Sequence, residues 1–332
     1  MVNPFEGKTI LVTGGAGSIG SELVRKLIDL NPKAVRVLDN DEARLFHLEQ
    51  ELSSEEIRIF IGDVRDKDRL RLAVEDVDLV FHAAALKHVP LCEYNPFEAV
   101  KTNVIGTQNL LEVAREEDVD KFILVSTDKA VDPSSVMGAT KLLAEKLTIS
   151  ANLYKGKKRT VFSCVRFGNV LGSSGSVVPL FKQQIREKKC ITITDPEMTR
   201  FVMTSNEAVN LILKATELAE GGEIFIFKMP AVKLTDLAEV IIEEYAPKCG
   251  MSPDDVQIKI IGKRPGEKTH EALLTESEIG NAYESEDMFI LCPYGNEITY
   301  PANKIYDVHD YSSKDAYMLS KEEIRKKLAS LL

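Results

Sequence analysis

The chain has 332 residues, a formal net charge of −10 and a pI of about 5.2. This length predicts one nucleotide-binding domain with a smaller second domain. The acidic balance argues against nucleic acid or an anionic membrane as a partner, because binding many phosphates requires a net basic face. The five cysteines show neither metal-ligand spacing nor a disulfide pattern, so we expect no metal and a reducing compartment.

The amino terminus runs at once into an apolar strand and a glycine loop, without the pattern of a signal peptide. No apolar run approaches the length that spans a membrane. We therefore expect a cytoplasmic protein that makes no contact with a membrane.

Short apolar runs alternate with segments of helical periodicity in the first half of the chain. The apolar runs predict strands at residues 9–13, 34–39, 57–61, 78–82, 121–125 and 160–167. The segments between them predict helices at residues 18–30, 41–53, 66–76, 96–117 and 137–153. Repeated strand–helix–strand units require a parallel sheet with right-handed crossovers, which predicts the α/β class and a Rossmann-type doubly wound parallel sheet.

The second half of the chain is more mixed. It predicts helices at residues 176–188, 205–219 and 234–245, and strands at residues 191–194, 223–227 and 256–261. We expect residues 1–170 to form the dinucleotide-binding domain, to which later segments can return. Residues 171–332 are predicted to form mainly a smaller, mixed α/β substrate-binding domain that covers the edge of the sheet.

A glycine loop, TGGAGSIG at residues 13–20, ends the first predicted strand and opens the first predicted helix. In this context Gly14 permits a tight turn, Gly17 lets the backbone approach a pyrophosphate, and Gly20 allows close packing of helix on strand. The helix N-terminus adds N–H donors and the positive end of its dipole. The loop therefore predicts a dinucleotide site that includes Gly14, Gly17, Ser18, Ile19 and Gly20.

The choice of dinucleotide rests on the end of the second predicted strand. Asp39 lies there, roughly 20 residues beyond the loop, where a carboxylate accepts hydrogen bonds from the adenosine ribose hydroxyls. No arginine adjoins Asp39 to neutralise a ribose phosphate, which favours NAD over NADP. Arg44 lies one turn into the next helix, so NADP stays open.

Two further strand ends carry candidate binding residues, because open α/β sheets bind their ligands at the carboxyl ends of strands. Asp63 follows the third strand and either hydrogen-bonds adenine or caps the next helix. Small side chains after the fourth strand leave room for a cofactor against the sheet, and Lys87 and His88 beyond them are candidates for the substrate. The cofactor residues predicted at these ends are Asp63, Val64, Ala83 and Ala84.

Longer motifs carry a more specific signal. The narrowest are HAAALKHVP at residues 82–90 and STDKAVDPSSVMGATK at residues 126–141, and further distinctive stretches lie at residues 101–112, 166–185, 193–203 and 262–275. Together they resemble the extended short-chain dehydrogenase/reductase superfamily. Within it they resemble the nucleotide-sugar 4,6-dehydratases of the polysaccharide-biosynthesis group, which act on UDP-N-acetylglucosamine.

The resemblance implies a reaction that regenerates NAD within each turnover. Hydride leaves sugar carbon 4 as the 4-hydroxyl loses its proton, water is eliminated across carbons 5 and 6, and hydride returns to carbon 6. In the superfamily, a Tyr four residues before a Lys takes the hydroxyl proton. Here Lys141 is present, but Met137 stands at the position of the Tyr and has no proton role. Both types occur in the resembling group.

The resemblance also puts the elimination residues at 127–129. Asp128 is the candidate acid for the departing 6-hydroxyl, and Lys129 is the candidate base at carbon 5 if burial and the cofactor's charge lower its pKa towards neutrality. Thr127 can bridge the 4-hydroxyl and relay its proton, and Lys141 would hold the nicotinamide ribose. The alternative is that Asp128 and Lys129 form an exposed ion pair at the start of a loop.

A UDP-sugar requires cations for its diphosphate and polar groups for its uracil. Arg200 and Arg264 are the candidate phosphate clamps, because a guanidinium meets phosphate oxygens in a bidentate fork. The resemblance puts Val177 and Pro179 near the uracil base. Glu267 is a candidate for substrate binding, with a purely structural role as the alternative. The predicted substrate-binding residues are Lys87, His88, Asn103, Asn169, Val177, Pro179, Arg200, Arg264 and Glu267.

Segments 96–117 and 137–153 carry apolar residues at helical spacing, and in the resembling superfamily the corresponding helices pair across a dimer. We therefore expect a homodimer or higher homo-oligomer, with packing against the sheet as the alternative. Two other functions stay open. One is a UDP-hexosamine 4-epimerase, which shares the first oxidation, and the other is a catalytically inactive NAD-binding regulator, suggested by Met137.

Overall fold

The structure is a computed structural model that describes residues 3–295, 298–305 and 309–332. Its strands are β1 Thr9–Thr13, β2 Ala34–Asp39, β3 Ile57–Ile61, β4 Leu79–His82, β5 Lys121–Thr127, β6 Val161–Phe167, β7 Asn169–Val170, β8 Cys190–Ile193, β9 Thr199–Met203, β10 Ile224–Phe227, β11 Ala231–Lys233, β12 Gln257–Ile260, β13 Ala272–Leu274, β14 Ala282–Glu284, β15 Met288–Leu291, β16 Asn303–Lys304 and β17 Tyr311–Ser312. Its α-helices are α1 Ser18–Ile28, α2 Glu42–Leu52, α3 Lys67–Val74, α4 Val89–Tyr94, α5 Pro96–Ala99, α6 Gly106–Glu116, α7 Val136–Tyr154, α8 Val177–Lys188, α9 Ser205–Leu218, α10 Leu234–Tyr245, α11 Glu276–Ile279 and α12 Lys321–Leu328.

A ten-stranded sheet organises the molecule, in the order β16-β14-β15-β10-β6-β5-β4-β1-β2-β3. The seven strands from β10 to β3 are parallel. This confirms the α/β class and the doubly wound parallel sheet. β15, β14 and β16 extend the sheet with antiparallel pairings that the sequence did not predict, because they lie outside the repeated strand–helix–strand pattern.

The carboxyl ends of the parallel strands meet at one edge of the sheet. In register, Thr13 of β1 lies beside His82 of β4, and Thr127 of β5 lies beside Phe167 of β6. The glycine loop, Asp39, Ala83 and the segment after Thr127 therefore converge on the same edge, as expected for strands of one parallel sheet.

The helix predicted over residues 96–117 is continuous but not uniform. It begins as α5, passes through a π-helical segment at Val100–Ile105 and continues as α6. The π-helical segment buries Asn103 and Val104. π-Helical turns are rare within α-helices and occur often at functional sites.

The apolar side chains form two main cores. The first packs helices against the ten-stranded sheet and includes side chains of β10, α9 and β13–β15. The second lies between α8, α10, α12 and β8. Segments after residue 204 thus return to the first core, as the sequence allowed, and the boundary at residue 170 stays a prediction.

Within residues 3–295, 298–305 and 309–332, no helix has both the length and the apolarity needed to cross a bilayer.

Candidate active site

A cavity of about 880 Å³ lies at the carboxyl edge of the parallel strands. This volume is at the upper end of the range for ligand sites, as expected for a site that holds two nucleotides. Every site residue predicted from the sequence lines the cavity except Asp128, Asn103 and Pro179. The fold therefore brings together groups that lie between residues 14 and 267 of the chain.

The glycine loop leaves no room for larger side chains. Gly14 has a φ of +65°, in the left-handed region, and a Cβ atom there would lie 2.6 Å from the backbone nitrogen of Ala84. A Cβ atom at Gly20 would overlap the carbonyl oxygen of Gly14. The loop is consequently packed as a bare backbone between α1 and the end of β4.

The N-terminus of α1 faces this loop with free donors. Gly17 caps the helix without a side-chain hydrogen bond, and α1 begins at Ser18. Asp39 lines the same part of the cavity, where its carboxylate accepts hydrogen bonds from the backbone nitrogens of Ala16 and Asp41, each at 3.1 Å. A helix N-terminus for a pyrophosphate and a fixed carboxylate for ribose hydroxyls fit a bound dinucleotide.

Two charged groups at the far end of this region have partners of their own. Asp63 forms an ion pair with Arg65 at 2.6 Å, and the hydrogen bond from this guanidinium lowers the pKa of the Asp63 carboxyl. Arg44 lines the cavity and lies 3.2 Å from Asp41. Because Arg44 is paired with Asp41, the preference for NAD over NADP continues to rest on Asp39.

His82 is a buried histidine at the end of β4, close to the site. His82 Nδ1 lies 2.7 Å from Thr13 Oγ1, and His82 Nε2 lies 3.0 Å from Thr107 Oγ1. Because the Thr107 hydroxyl donates to the Asn103 carbonyl, it accepts from Nε2–H, and Nδ1 accepts from Thr13. Burial, reinforced by the charge of Lys141, lowers the pKa of His82 to about 3, which keeps this imidazole neutral.

Asp128 lies behind the cavity wall and not in it. Its side chain is fully buried. Its Oδ1 atom accepts hydrogen bonds from Thr127 Oγ1 at 2.8 Å and from Lys129 Nζ at 3.0 Å, whereas Oδ2 has no hydrogen-bond partner among the described residues. Thr127 and Lys129 both line the cavity, so Asp128 communicates with it through these two neighbours.

The pKa values of the two lysines of the site shift in opposite directions. Burial opposes the Lys129 ammonium, but the carboxylates of Asp128 and Glu271 outweigh it and raise the pKa of Lys129. Burial by itself therefore does not produce the lowering of the Lys129 pKa that was expected from burial together with the cofactor's charge. The lowering occurs at Lys141, whose Nζ donates to the Val125 carbonyl at 2.7 Å and whose burial lowers its pKa to about 8.

Glu271 belongs to this cluster and was missed by sequence reasoning. Only 4% of the residue is exposed, and Oε1 lies 3.8 Å from Lys129 Nζ and 3.9 Å from Arg200 Nε. Burial raises the pKa of its carboxyl, against the opposing effect of the nearby cations. Glu271 lies in one of the distinctive stretches, but nothing in the local pattern separates it from the other charged residues there.

The two arginines predicted to clamp phosphate are in different states. Arg200 is 7% exposed, and its guanidinium donates to the carbonyls of Thr199, Thr269 and Lys268 at 2.7–3.0 Å. A bidentate grip on phosphate would require Arg200 to release some of these bonds. Arg264 is exposed at the cavity wall, and no ion pair of its side chain occurs among the described residues.

Three other predicted residues have structural contacts. The buried Asn103 amide accepts from the Leu86 nitrogen at 2.8 Å and donates to the Leu86 carbonyl at 3.0 Å, which holds the backbone before Lys87. Pro179 lies half-buried in the first turn of α8, outside the cavity lining. Met137 is 3% exposed and packs beside Cys92 and Ala99.

A side cavity of about 170 Å³ adjoins the main one, and Lys129, Arg200 and Glu271 help to line it. Its rim joins the segment after β5 to the segment before β13. Ser134 Oγ donates to the Gly266 carbonyl at 2.8 Å, and Lys268 Nζ donates to the Val131 carbonyl at 2.7 Å. The carboxyl-terminal part of the chain is thus tied directly to the polar cluster.

Comparison with known proteins identifies close relatives. Residues 10–293 match the protein-family profile described as "Polysaccharide biosynthesis protein". A protein of Methanocaldococcus jannaschii named an uncharacterized membrane protein is 65% identical over 99% of this chain and 97% of its own length. The UDP-N-acetylglucosamine 4,6-dehydratase (inverting) of Campylobacter jejuni is 44% identical over 87% of this chain and 84% of its own.

Two further relatives extend the comparison. The UDP-glucose 4-epimerase of Rickettsia canadensis is 38% identical over 98% of this chain and 97% of its own length. The X-ray structure of Pen from Bacillus thuringiensis superimposes with a TM-score of 0.92 at 44% identity, over 98% of both chains.

Proposed function

The chain belongs to the polysaccharide biosynthesis protein family, and on that premise we propose that it is an NAD-dependent UDP-N-acetylglucosamine 4,6-dehydratase. The observation that carries the proposal is the cluster of Thr127, Asp128 and Lys129 beside Lys141 and the glycine loop. The product would be a UDP-4-keto-6-deoxy-N-acetylhexosamine. The dehydratase relative at 44% identity supports this choice of substrate.

The cofactor would lie along the carboxyl edge of the sheet. When bound, NAD supplies a hydride acceptor for carbon 4 and a hydride donor for carbon 6. The glycine loop and the α1 N-terminus would hold the pyrophosphate, and Asp39 would accept from the adenosine ribose. Lys141 would hold the nicotinamide ribose.

The 4-hydroxyl needs a base to take its proton, and the thioether side chain of Met137 cannot do so. We infer that Thr127 takes this proton and passes its own hydroxyl proton to Asp128 Oδ1, which lies 2.8 Å away. Asp128 is then protonated, and it is the acid that releases the 6-hydroxyl as water, again through Thr127 or Lys129. The proton lost from the 4-hydroxyl thus leaves with the water.

Carbon 5 needs a base and later an acid. Lys129, as a neutral amine, would take the proton from carbon 5 during elimination and return a proton to carbon 5 when carbon 6 is reduced. Over one turnover the side chains recover their starting protonation, and the substrate loses one water. Arg264, together with Arg200 after it releases its carbonyls, would bind the diphosphate.

A second candidate function is 4-epimerisation, which the epimerase relative at 38% identity favours. An epimerase shares the oxidation at carbon 4 but needs the 4-keto sugar to rotate, and it eliminates nothing. Thr127, Lys141 and the cofactor residues serve either reaction, whereas an acid and a base at carbons 5 and 6 serve elimination alone.

Mass spectrometry of the purified protein with UDP-N-acetylglucosamine separates these functions. A dehydratase gives a product lighter by one water, and an epimerase gives an isomer of unchanged mass. Tight NAD binding without turnover of any UDP-hexosamine would indicate a regulator. Met137→Tyr should not be required for activity, so a wild-type protein that is inert until this change is made would contradict the proposal.

A further inference from the structure

Glu271 is a second buried carboxyl group in the catalytic cluster, and none of the roles above uses it. It is 4% exposed, and its Oε2 atom has no hydrogen-bond partner among the described residues. Its Oε1 atom lies 3.8 Å from Lys129 Nζ, about 1 Å beyond hydrogen-bond length, a gap that rotation of the long lysine side chain closes. A buried carboxyl group with one oxygen near a reactive amine and the other without a hydrogen-bond partner is suited to a proton-transfer role.

Lys129 requires such a partner because its resting state is unsuited to its role. A base at carbon 5 must be a neutral amine, whereas Lys129 lies 3.0 Å from Asp128 and 3.8 Å from Glu271, and both carboxylates favour the ammonium form. Its excess proton must go to a nearby acceptor before elimination. Asp128 is not available at that stage, since it already holds the proton of the 4-hydroxyl.

We propose that Glu271 is the proton acceptor for Lys129, and that protonation of Asp128 by the oxidation step triggers the transfer. The proposal rests on the proposed dehydratase function. In the transfer, an N–H bond of the Lys129 ammonium breaks and an O–H bond forms on Glu271, without any redox change. Lys129 then takes the carbon-5 proton, delivers one of its three ammonium protons to carbon 5, and finally recovers a proton from Glu271.

The charges around the pair support this order of events. Burial is the largest influence on Lys129 and opposes its ammonium, whereas Asp128 and Glu271 favour it and Arg200 opposes it. Protonation of Asp128 removes the stronger of the two favourable charges. Burial also raises the pKa of Glu271, as does the charge of Asp128, against Lys129, Arg200 and Lys268. Protonation of Asp128 therefore lowers the proton affinity of the Lys129 amine. It also removes a smaller contribution to the raised pKa of Glu271, whose largest cause, burial, remains.

The first test measures Lys129 itself and needs no turnover. Lysines are reductively methylated with ¹³C, the Lys129 signal is identified by its loss in Lys129→Arg, and its titration is followed by NMR. In Glu271→Gln the Lys129 signal should titrate roughly 1–3 pH units lower than in wild type, because a favourable charge is gone. Glu276→Gln, an exposed carboxylate five residues on, is the matched control and should leave it unchanged.

The second test separates the two chemical steps by quenched single-turnover mass spectrometry in heavy water. Glu271→Gln should slow dehydration and deuterium entry at carbon 5 by roughly 10²-fold, with the 4-keto, 6-hydroxy sugar accumulating and KM little changed. Glu271→Asp should recover part of the rate. A carboxylate that merely orders Arg200 would instead raise KM and leave the carbon-5 step intact.

The outcomes separate a failure of the proposed dehydratase function from a failure of the proposed role of Glu271. If wild type never dehydrates a UDP-hexosamine but the Lys129 titration moves as stated, the proposed function fails and the coupling of Glu271 to Lys129 stands. If Glu271→Gln dehydrates at the wild-type rate with the pH profile of Glu276→Gln, Glu271 does not accept the proton. Should Glu271→Gln unfold, Glu271→Met, which also lacks the carboxyl group at a similar side-chain length, provides the same comparison.

Discussion

Asp128 and Lys129 are adjacent in the chain, yet their side chains differ in exposure to the cavity. The Asp128 side chain has no exposed surface, whereas the Lys129 side chain is 27% exposed and lines the wall. In the proposed mechanism Asp128 would therefore act on the sugar only through Thr127 or Lys129, while Lys129 would act directly. This difference separates the expected consequences of replacing each residue.

Asp128→Asn removes the acceptor of the Thr127 proton, so both oxidation at carbon 4 and dehydration should fall by roughly 10²–10⁴-fold. Lys129→Met should suppress dehydration by a similar factor while oxidation at carbon 4 continues. Quenched single-turnover mass spectrometry reports the two steps separately, and calorimetry should find NAD binding intact in both variants. Wild-type-like turnover in either variant would overturn these assignments.

His82 should make the protein sensitive to acid. Its pKa is about 3 in the folded protein and 6.5 ordinarily, so its contribution to stability is complete above pH 6.5 and is lost as the pH falls towards 3. Over that window it should steepen the loss of unfolding free energy by up to about 1.4 kcal/mol per pH unit. Urea unfolding at a series of pH values should show a shallower slope for His82→Gln than for wild type. His47→Gln, at an exposed histidine, should keep the wild-type slope.

At the scale of elements, α7 is held in place by a buried ionic network. Arg166 of β6 is 1% exposed and donates to both carboxylate oxygens of Glu145 on α7 and to Glu278 on α11. α7 also carries Met137 and Lys141 at its start. The network thus joins the central sheet, the helix that carries Lys141 and the carboxyl-terminal segment.

Removing the cation of this network should be costly. Arg166→Met leaves Glu145 buried without a counter-charge, which should lower the unfolding free energy by about 3–5 kcal/mol. Urea denaturation measures this loss. Arg159→Met removes an arginine whose side chain is 71% exposed, and it should change stability by less than about 1 kcal/mol. Equal losses of unfolding free energy in the two variants would show that the buried network stabilises the protein no more than an exposed arginine does.

At the scale of the whole molecule, the segments expected at a subunit contact, residues 96–117 and 137–153, expose large apolar side chains, and so does α4 just before them. Tyr94 is 88% exposed, Phe97 79% and Leu153 68%, on or beside α4, α5 and α7. Exposed apolar side chains concentrated on neighbouring helices are typical of interaction surfaces. The homo-oligomer stays a prediction, and this surface is where we expect it to form.

The paired substitutions Tyr94→Glu and Phe97→Glu test that surface. If it is a subunit interface, the burial of two carboxylates should dissociate the oligomer to monomers, as measured by light scattering after size-exclusion chromatography. Phe46→Glu, at a residue 57% exposed on α2, should leave the assembly unchanged. A wild-type protein that is already monomeric would refute the predicted association.

Local patterns in the sequence determined the parallel sheet, most helices of the first half and the dinucleotide loop. Each is written in a local pattern: alternation of apolar runs with helical segments, helical spacing, and the spacing of the glycines in the loop. The antiparallel strands β14–β16 and the strands β9 and β11 were missed, because they lie outside the repeated strand–helix–strand pattern that identified other strands of similar length.

Only the tertiary structure decided the electrostatics of the polar cluster. The sequence placed Asp128 and Lys129 beside the cofactor loop, but the protonation of Lys129 depends on Glu271, which lies 142 residues away in the chain and 3.8 Å away in space. The carbonyls around Arg200 and the partners of His82 likewise come from distant segments. Charge interactions depend on the distance between groups and on their burial, and a local stretch of sequence encodes neither. The residue types that carry the chemistry were therefore predictable from the sequence, whereas the protonation states of the site residues were not.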